Sequence, residues 1–291
     1  MPLPHENERA QSGDLSIHYR RLGRPGRTPV VFVHGLSYFS YDWLDAAQSL
    51  GDERECVCMD MRGFGDSDWS PAKDYSVPAM ARDVVNLLAH LGWQRAVLCG
   101  HSMGGRSTAY AAAKAPQRVA GLVLVDYSPE NAPAGSRRVA QTVANAPEVF
   151  ASVDEAMRYF GIDPHSAHGR AKRERFEAYL KPVSGGLAVK RDPHFRAQFR
   201  RIIETGERPA LGVDMWQVLG EVRCPTLALR GLRSDMFAAE TVARMRAANR
   251  RMRVLEVDAG HDVAGENLRE FLGAVRPFLA DLEDKSHEQA A

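Results

Sequence analysis

The stretch RAVLCGHSMGG, residues 95–105, places a serine between glycines directly after a short apolar run. The run at 95–99 predicts a buried strand, and the Ala-rich residues 103–115 predict a helix. Such an abrupt strand-to-helix turn strains the backbone of Ser102, and Gly100 and Gly104 remove side chains that would collide there. The Ser102 hydroxyl then projects from the sheet edge beside a helix N-terminus, which favours a developing anion. The segment therefore predicts a nucleophile; the alternative is a structural glycine-rich turn.

Strands and helices alternate on both sides of this turn. Apolar runs typical of buried strands occur at 28–33, 55–59, 119–125, 225–231 and 253–257, and helical spacing occurs at 77–91, 238–248 and 266–282. Short alternating units of this kind predict a parallel sheet with right-handed crossovers. Between residues 128 and 219 the chain lacks comparable apolar runs and reads as helical. We therefore expect a core formed by residues 1–127 and 220–291, with a helical cap at 128–219.

The composition of the chain narrows the classes of function and partner to be considered. The chain has 291 residues, with 38 Lys+Arg against 37 Asp+Glu, and 44% of its residues are hydrophobic. The balanced charge disfavours nucleic acid as a partner, because proteins that bind phosphates usually carry a basic excess. No window has the roughly 18 apolar residues of a membrane span, and the N-terminus lacks the apolar run of a secretory signal. We expect a cytoplasmic protein with no transmembrane segment, and a homodimer is left open.

The four cysteines, Cys56, Cys58, Cys99 and Cys224, lie in or beside apolar runs. Their spacing is not that of a metal site, so buried free thiols are expected. Neither a metal nor an organic cofactor is predicted.

Three motifs together carry a family resemblance. They are His34-Gly35-Leu36 after one strand, Asp60-x-Arg62-Gly63-x-Gly65-x-Ser67 after the next, and Gly100-His101-Ser102-Met103-Gly104. With them the chain resembles the α/β-hydrolase superfamily, in the cap-containing branch of esterases, lactonases and related serine hydrolases. The resemblance implies an α/β fold with a mostly parallel central sheet flanked by helices and a helical cap inserted between strands 6 and 7.

The resemblance also implies a Ser-His-Asp triad. A serine is a poor nucleophile unless a base lies within hydrogen-bond reach. His261 follows the last predicted strand in a Gly-His turn, which is where the family places its base. Asp235 follows the strand that returns from the insertion, although its loop is one residue longer than usual in the family. Asp126, at the end of the preceding strand, is the alternative acid.

The remaining predicted site residues surround the nucleophile. The backbone amides of Leu36 and Met103 are the expected oxyanion donors. Five aromatic residues are candidates to bind substrate, with packing against neighbouring helices as the alternative: Tyr38, Phe39, Trp43, Trp216 and Phe237.

The predicted activity is hydrolysis of a small-molecule carboxylic ester or lactone through an acyl-enzyme intermediate. A carbon–carbon bond hydrolase would use the same machinery, but usually has a longer glycine-rich oxyanion loop than the one at His34–Leu36. An epoxide hydrolase or dehalogenase would carry Asp at position 102. A ligand-binding receptor or regulatory protein on the same fold is the alternative of a different class.

Overall fold

A computed structural model of the chain describes residues 5–290, with side chains described as far as residue 284. Its strands are β1 (Glu6–Ser12), β2 (Leu15–Leu22), β3 (Arg27–Val33), β4 (Arg54–Met59), β5 (Ala96–His101), β6 (Val119–Val125), β7 (Leu180–Val183), β8 (Gly186–Val189), β9 (Thr226–Gly231) and β10 (Met252–Val257). Its helices are α1 (Leu44–Leu50), α2 (Val77–His90), α3 (Met103–Lys114), α4 (Pro133–Ala144), α5 (Val153–Tyr159), α6 (Ala167–Tyr179), α7 (Pro193–Thr205), α8 (Met215–Glu221), α9 (Thr241–Ala248), α10 (Val263–Glu266) and α11 (Leu268–Ala290).

Eight strands form one sheet in the order β1-β2-β4-β3-β5-β6-β9-β10. The pairs β1–β2 and β2–β4 are antiparallel, and the other neighbours run parallel. The central strands are buried on both faces, as their continuous apolar sequences predict. Their carboxyl ends meet at one edge, so the turns that follow β3, β5, β6, β9 and β10 lie close together. The predicted α/β architecture is confirmed.

Strand β1 is not predicted from the sequence. Its sequence, ENERAQS, is polar, and it pairs with β2 at the edge of the sheet, with mostly exposed residues in its first half. An edge strand does not need a continuous apolar run, because one side of it faces solvent.

The insertion lies between β6 and β9. In chain order β9 is the seventh strand of the large sheet, so the insertion occupies the predicted place between strands 6 and 7. It contains α4, α5, α6 and α7, and also a two-stranded antiparallel sheet, β7–β8, where the sequence suggested only an extended piece. A separate apolar cluster that includes Phe150, Met157 and Phe176 holds the insertion together. The limits 128 and 219 stay a prediction; α8 packs on the core through Met215, Val218 and Leu219.

The four cysteines are free and buried, which confirms the expectation. Among the described residues, no helix combines the length and the apolar character needed to cross a bilayer. Residues 1–4, part of the segment on which the expected absence of a signal rests, lie outside the described residues.

Candidate active site

The turn between β5 and α3 holds Ser102 in a strained backbone conformation, with φ 50° and ψ −113°. A Cβ atom on Gly100 would lie 2.2 Å from Thr108 Oγ1, and one on Gly104 would lie 2.4 Å from the Val33 carbonyl oxygen. Both distances are impossible contacts, so glycine is required on either side of the serine. The strain is local and is fixed by this close packing of helix against strand.

A chain of hydrogen bonds runs from Ser102 through His261 to an aspartate. His261 Nε2 lies 3.1 Å from Ser102 Oγ, and His261 Nδ1 lies 2.6 Å from Asp126 Oδ2. A carboxylate on Nδ1 holds the proton there and leaves Nε2 free to accept one from the serine. The three side chains therefore have the hydrogen-bond order that a serine nucleophile, a general base and an orienting acid require.

The carboxylate of Asp126 is buried and fully hydrogen bonded. Besides His261, it accepts the Gly231 N–H at 2.8 Å and the Ser234 hydroxyl. Its backbone has φ 42°, another conformation that L residues rarely adopt. These contacts fix the carboxylate at the end of β6, where it faces the imidazole.

The structure does not bring Asp235, the acid favoured from the sequence, into hydrogen-bond contact with His261. Asp235 instead forms a two-pronged ion pair with Arg138 of α4, with N–O distances of 2.6 and 2.7 Å. The hydrogen bond from Arg138 keeps the pKa of Asp235 below its usual value. The longer loop after β9 explains the difference, because it brings Ser234, rather than Asp235, against Asp126.

The loop after β3 is held in place by His34. Its Nε2 accepts the Met61 N–H at 2.9 Å, so its Nδ1 carries the proton and donates to the Gly35 carbonyl at 2.8 Å. Burial holds the pKa of His34 below its usual value, so the ring is neutral. With both ring nitrogens occupied, His34 orients the loop that presents the Leu36 amide.

His101 supports the loop that carries His261. Its Nε2 donates to the His261 carbonyl at 2.9 Å, and the two rings lie 4.6 Å apart. Burial, reinforced by the neighbouring His261, holds the pKa of His101 well below its usual value. His101 is therefore a neutral donor that sets the position of His261.

A cavity of about 1260 Å³ opens over Ser102 and His261. Leu36 and Met103 line it beside the serine, and neither amide donates to another backbone group among the described residues. The insertion supplies the opposite wall with apolar side chains from α5, α6 and α7. The serine thus faces a cavity that can hold a small molecule, with the Leu36 and Met103 amides beside it.

The family can be stated on comparison with known proteins. The sequence profile of a family described as the alpha/beta hydrolase fold matches residues 28–268. The chain belongs to the alpha/beta hydrolase fold family.

Relatives of this alpha/beta hydrolase act on varied compounds. A 3-hydroxybutyrate-oligomer hydrolase from Cupriavidus necator is 32% identical over 84% of this chain and 86% of that protein. An N-formylmaleamate deformylase from Pseudomonas putida is 28% identical over 90% of this chain and 92% of that protein. The solved structure of E-2-(acetamidomethylene)succinate hydrolase superposes with a TM-score of 0.83 at 25% identity, covering 95% of this chain and all of that one.

Of the five aromatic residues predicted to bind substrate, only Tyr38 lines the cavity of the hydrolase. Phe39 and Phe237 are completely buried, and Trp43 packs between Phe32 and Phe271. These three belong to packed clusters, so the expectation that they line the pocket is corrected in favour of the packing alternative.

Trp216 also lies outside the lining of the cavity. Its indole ring stacks under the guanidinium of Arg244 at 4.2 Å and its Nε1 donates to Glu130 at 3.4 Å. Apolar side chains of the insertion, including Phe160, Phe176 and Phe199, provide the apolar wall instead. No local pattern distinguishes them in the sequence, because their position depends on how the insertion folds back.

An ion pair joins the insertion to the segment that follows β3. Arg175 of α6 binds both carboxylate oxygens of Asp42, at 2.7 and 3.0 Å, and also donates to the Ser37 carbonyl at 3.3 Å. Arg191 donates to the Ser37 hydroxyl at 2.7 Å. Ser37 has φ 67°, so these two arginines hold a strained residue directly beside Leu36.

One group of side chains has ligand atoms close enough to hold a metal ion, namely His18, Asp60 and Asp66, in the described part of the chain. Asp60 already accepts hydrogen bonds from His18 Nδ1 at 2.7 Å, from the Ser40 N–H at 2.6 Å and from the Asp66 N–H at 2.9 Å. These bonds brace the turns after β3 and β4, which gives the cluster a structural role.

Asp60 should make the stability of the protein sensitive to acid. Burial alone would raise its pKa, but the hydrogen bond and charge of His18 lower the pKa from 3.8 to about 2. The folded pKa lies below the unfolded one, so the contribution is complete well above pH 3.8 and is lost as pH falls toward 2. In urea unfolding, we expect the advantage of the wild type over Asp60→Asn to shrink by roughly 1 kcal/mol from about pH 6 to about pH 3. An advantage that does not change with pH would contradict this.

Proposed function

We propose that this alpha/beta hydrolase cleaves a carboxylic ester or lactone through an acyl-enzyme on Ser102. The observation that carries the proposal is the unbroken hydrogen-bond chain Ser102–His261–Asp126 at the floor of the cavity. In this proposal the acid of the triad is Asp126 and not Asp235.

Each residue has a defined task in the proposed reaction. Ser102 Oγ attacks the carbonyl carbon while His261 Nε2 takes its proton, and the Nδ1–H bond to Asp126 stabilises the imidazolium that forms. The Leu36 and Met103 amides hold the oxyanion of the tetrahedral intermediate. His261 then protonates the leaving alcohol, and water, activated by the same base, releases the acid and regenerates Ser102.

One of these relatives supports an ester as the bond cleaved. The name 3-hydroxybutyrate-oligomer hydrolase points to ester bonds, because these join the units of a hydroxy-acid oligomer. The names of the deformylase and of the succinate hydrolase point to other bonds within the same fold. We therefore expect ester turnover to exceed cleavage of amides and of carbon–carbon bonds.

The test is a panel of neutral 4-nitrophenyl esters from acetate to octanoate, with γ- and δ-lactones and matched anilides beside them. We expect a burst of nitrophenolate and an acyl mass increase on the peptide that contains Ser102. Turnover of anilides or of a ring-cleavage diketone, without that of esters, would replace the proposal with another hydrolase activity. Tight binding without turnover of any compound would favour a receptor.

A further inference from the structure

Arg106 occupies a position beside the nucleophile that the proposed reaction does not use. It lies one turn after Ser102 in α3, and its N–H donates to the Ser102 carbonyl at 3.3 Å. Helix geometry separates the two Cα atoms by about 6 Å. Arg106 lines the cavity together with Ser102 and Met103.

The cavity is rich in positive charge. Seven basic side chains line it against four acidic ones, Asp42, Asp74, Asp262 and Glu266. The basic residues are Lys73, Arg106, Arg137, Arg138, Lys172, Arg175 and Arg208. Three of them are paired with carboxylates: Lys73 with Asp192, Arg138 with Asp235 and Arg175 with Asp42.

Among the unpaired basic residues, Arg106 differs in its surroundings. Arg137 and Arg208 are exposed, so water solvates their charges, and Lys172 is half-buried within the field of Asp262. Arg106 is half-buried beside Ser102, burial lowers the pKa of its guanidinium, and the described residues offer that guanidinium no carboxylate or hydrogen-bond partner. Its charge is partly desolvated and not neutralised by the protein, so an anion that enters the cavity can form a charge-assisted contact there.

A second cation strengthens the positive charge near Arg106. The charge of Arg208, which also lines the cavity, is close enough to lower the pKa of Arg106 further, with no acid placed to compensate among the residues that the structure describes. An anion in the cavity would be attracted to both guanidinium groups.

We propose that Arg106 anchors a carboxylate of the substrate next to the scissile carbonyl. A guanidinium matches the planar pair of carboxylate oxygens, and the half-buried position strengthens the charge-assisted hydrogen bonds relative to those in water. The inference rests on the proposed function for the identity of the scissile bond. It narrows the substrate to an ester that also carries an acid group, with Arg208 as a more exposed cation of the same cavity.

The experiment compares esters that differ only in charge. On the acyl side, mono-4-nitrophenyl succinate replaces the terminal methyl group of 4-nitrophenyl butyrate with a carboxylate. On the leaving-group side, 4-acetoxybenzoate is compared with phenyl acetate. We expect kcat/KM of the wild type to favour the charged ester in one of the pairs. Arg106→Gln should lower the charged-to-neutral ratio of that pair by about 30-fold, as loss of a charge-assisted hydrogen bond predicts.

Two further variants control this measurement. Arg106→Lys keeps the charge and should recover part of the ratio, whereas Arg137→Gln removes an exposed cation of the same cavity and should change the ratio less than about threefold. Using the ratio removes any general effect of a variant on folding or on Ser102. A ratio that Arg106→Gln leaves unchanged, or that Arg137→Gln lowers equally, would overturn the assignment.

Binding to Ser102→Ala separates this proposal from the proposed function. Calorimetry with monomethyl succinate and dimethyl succinate measures recognition of the carboxylate without turnover. If the monoacid binds tighter and Arg106→Gln removes the difference, the subsite stands even when no ester is cleaved. If neutral esters are cleaved but the monoacid has no advantage, the subsite falls and the hydrolase proposal stands. Competitors are then added to the complex with monomethyl succinate. If inorganic phosphate displaced this ligand at lower concentrations than butyrate does, the assignment of a carboxylate as the anion bound would be overturned.

Discussion

Ser102→Ala is expected to lower kcat on 4-nitrophenyl esters by about ten-thousand-fold or more, the scale typical of loss of a serine nucleophile. The Ser102 hydroxyl is the proposed attacking group, 3.1 Å from His261 Nε2. Alanine carries a Cβ like serine, so the strained turn, with φ 50°, is no worse for the variant. Initial-rate assays with purified protein, with the burst amplitude and the acylated peptide measured in parallel, check the result.

A serine in the same helix provides the control. The Ser107 hydroxyl donates to the Met103 carbonyl at 3.4 Å and has no place in the proposed reaction. Ser107→Ala should therefore stay within about threefold of wild type, as expected for loss of one weak hydrogen bond. If Ser102→Ala kept a tenth of the activity with the same fold by circular dichroism, the nucleophile would lie elsewhere.

Asp126→Asn is expected to lower kcat by about 10³- to 10⁴-fold, whereas Asp235→Asn should change it by less than about threefold. The amide introduced at position 126 would favour the wrong tautomer of His261 and would meet the Gly231 N–H or the Ser234 hydroxyl with a donor. Asp235 pairs with Arg138, and both side chains are partly exposed, so the loss of that pair should cost about 0–1 kcal/mol of stability. Both variants replace a carboxylate with an amide, but their expected effects on kcat differ by orders of magnitude.

Initial rates over about pH 6–9, with thermal unfolding of both variants, make this comparison. Loss of activity in Asp235→Asn with retention in Asp126→Asn would restore the acid that the sequence favoured. Equal losses in both variants, at unchanged stability, would mean that the negative field of the loop, rather than one oriented carboxylate, supports the imidazolium. Either result would contradict Asp126 as the acid of the triad.

The alternation of strands and helices along the chain and the position of the strained serine turn could be predicted because both leave local patterns in the sequence. A buried strand is visible as a continuous apolar run, as at Val119–Val125. The turn is visible as the glycines at positions 100 and 104, although the contact that requires Gly104 is with Val33 of β3. The polar strand β1 and the β7–β8 pair were not predicted, because these strands are stabilised by their pairing partners and carry no continuous apolar run of their own.

The acid and the pocket could not be predicted in the same way. Asp126 and Asp235 both follow core strands, and sequence position alone does not tell which one reaches His261. One signal was present: the extra residue in the loop after β9, which turns Asp235 outward to Arg138. The aromatic residues after the oxyanion loop were chosen by proximity in the chain, yet Phe39 and Trp43 point into packed clusters.

The sequence by itself thus determined the α/β hydrolase architecture, the strained serine turn and a histidine at the right strand end, since each follows from local patterns of apolar and glycine residues. Only the tertiary structure decided that Asp126 meets His261, that the insertion supplies the apolar wall, and that Arg106 has no partner among the described residues. These features arise where segments far apart in the chain pack together, and the energy of such contacts is not visible in any single stretch of sequence.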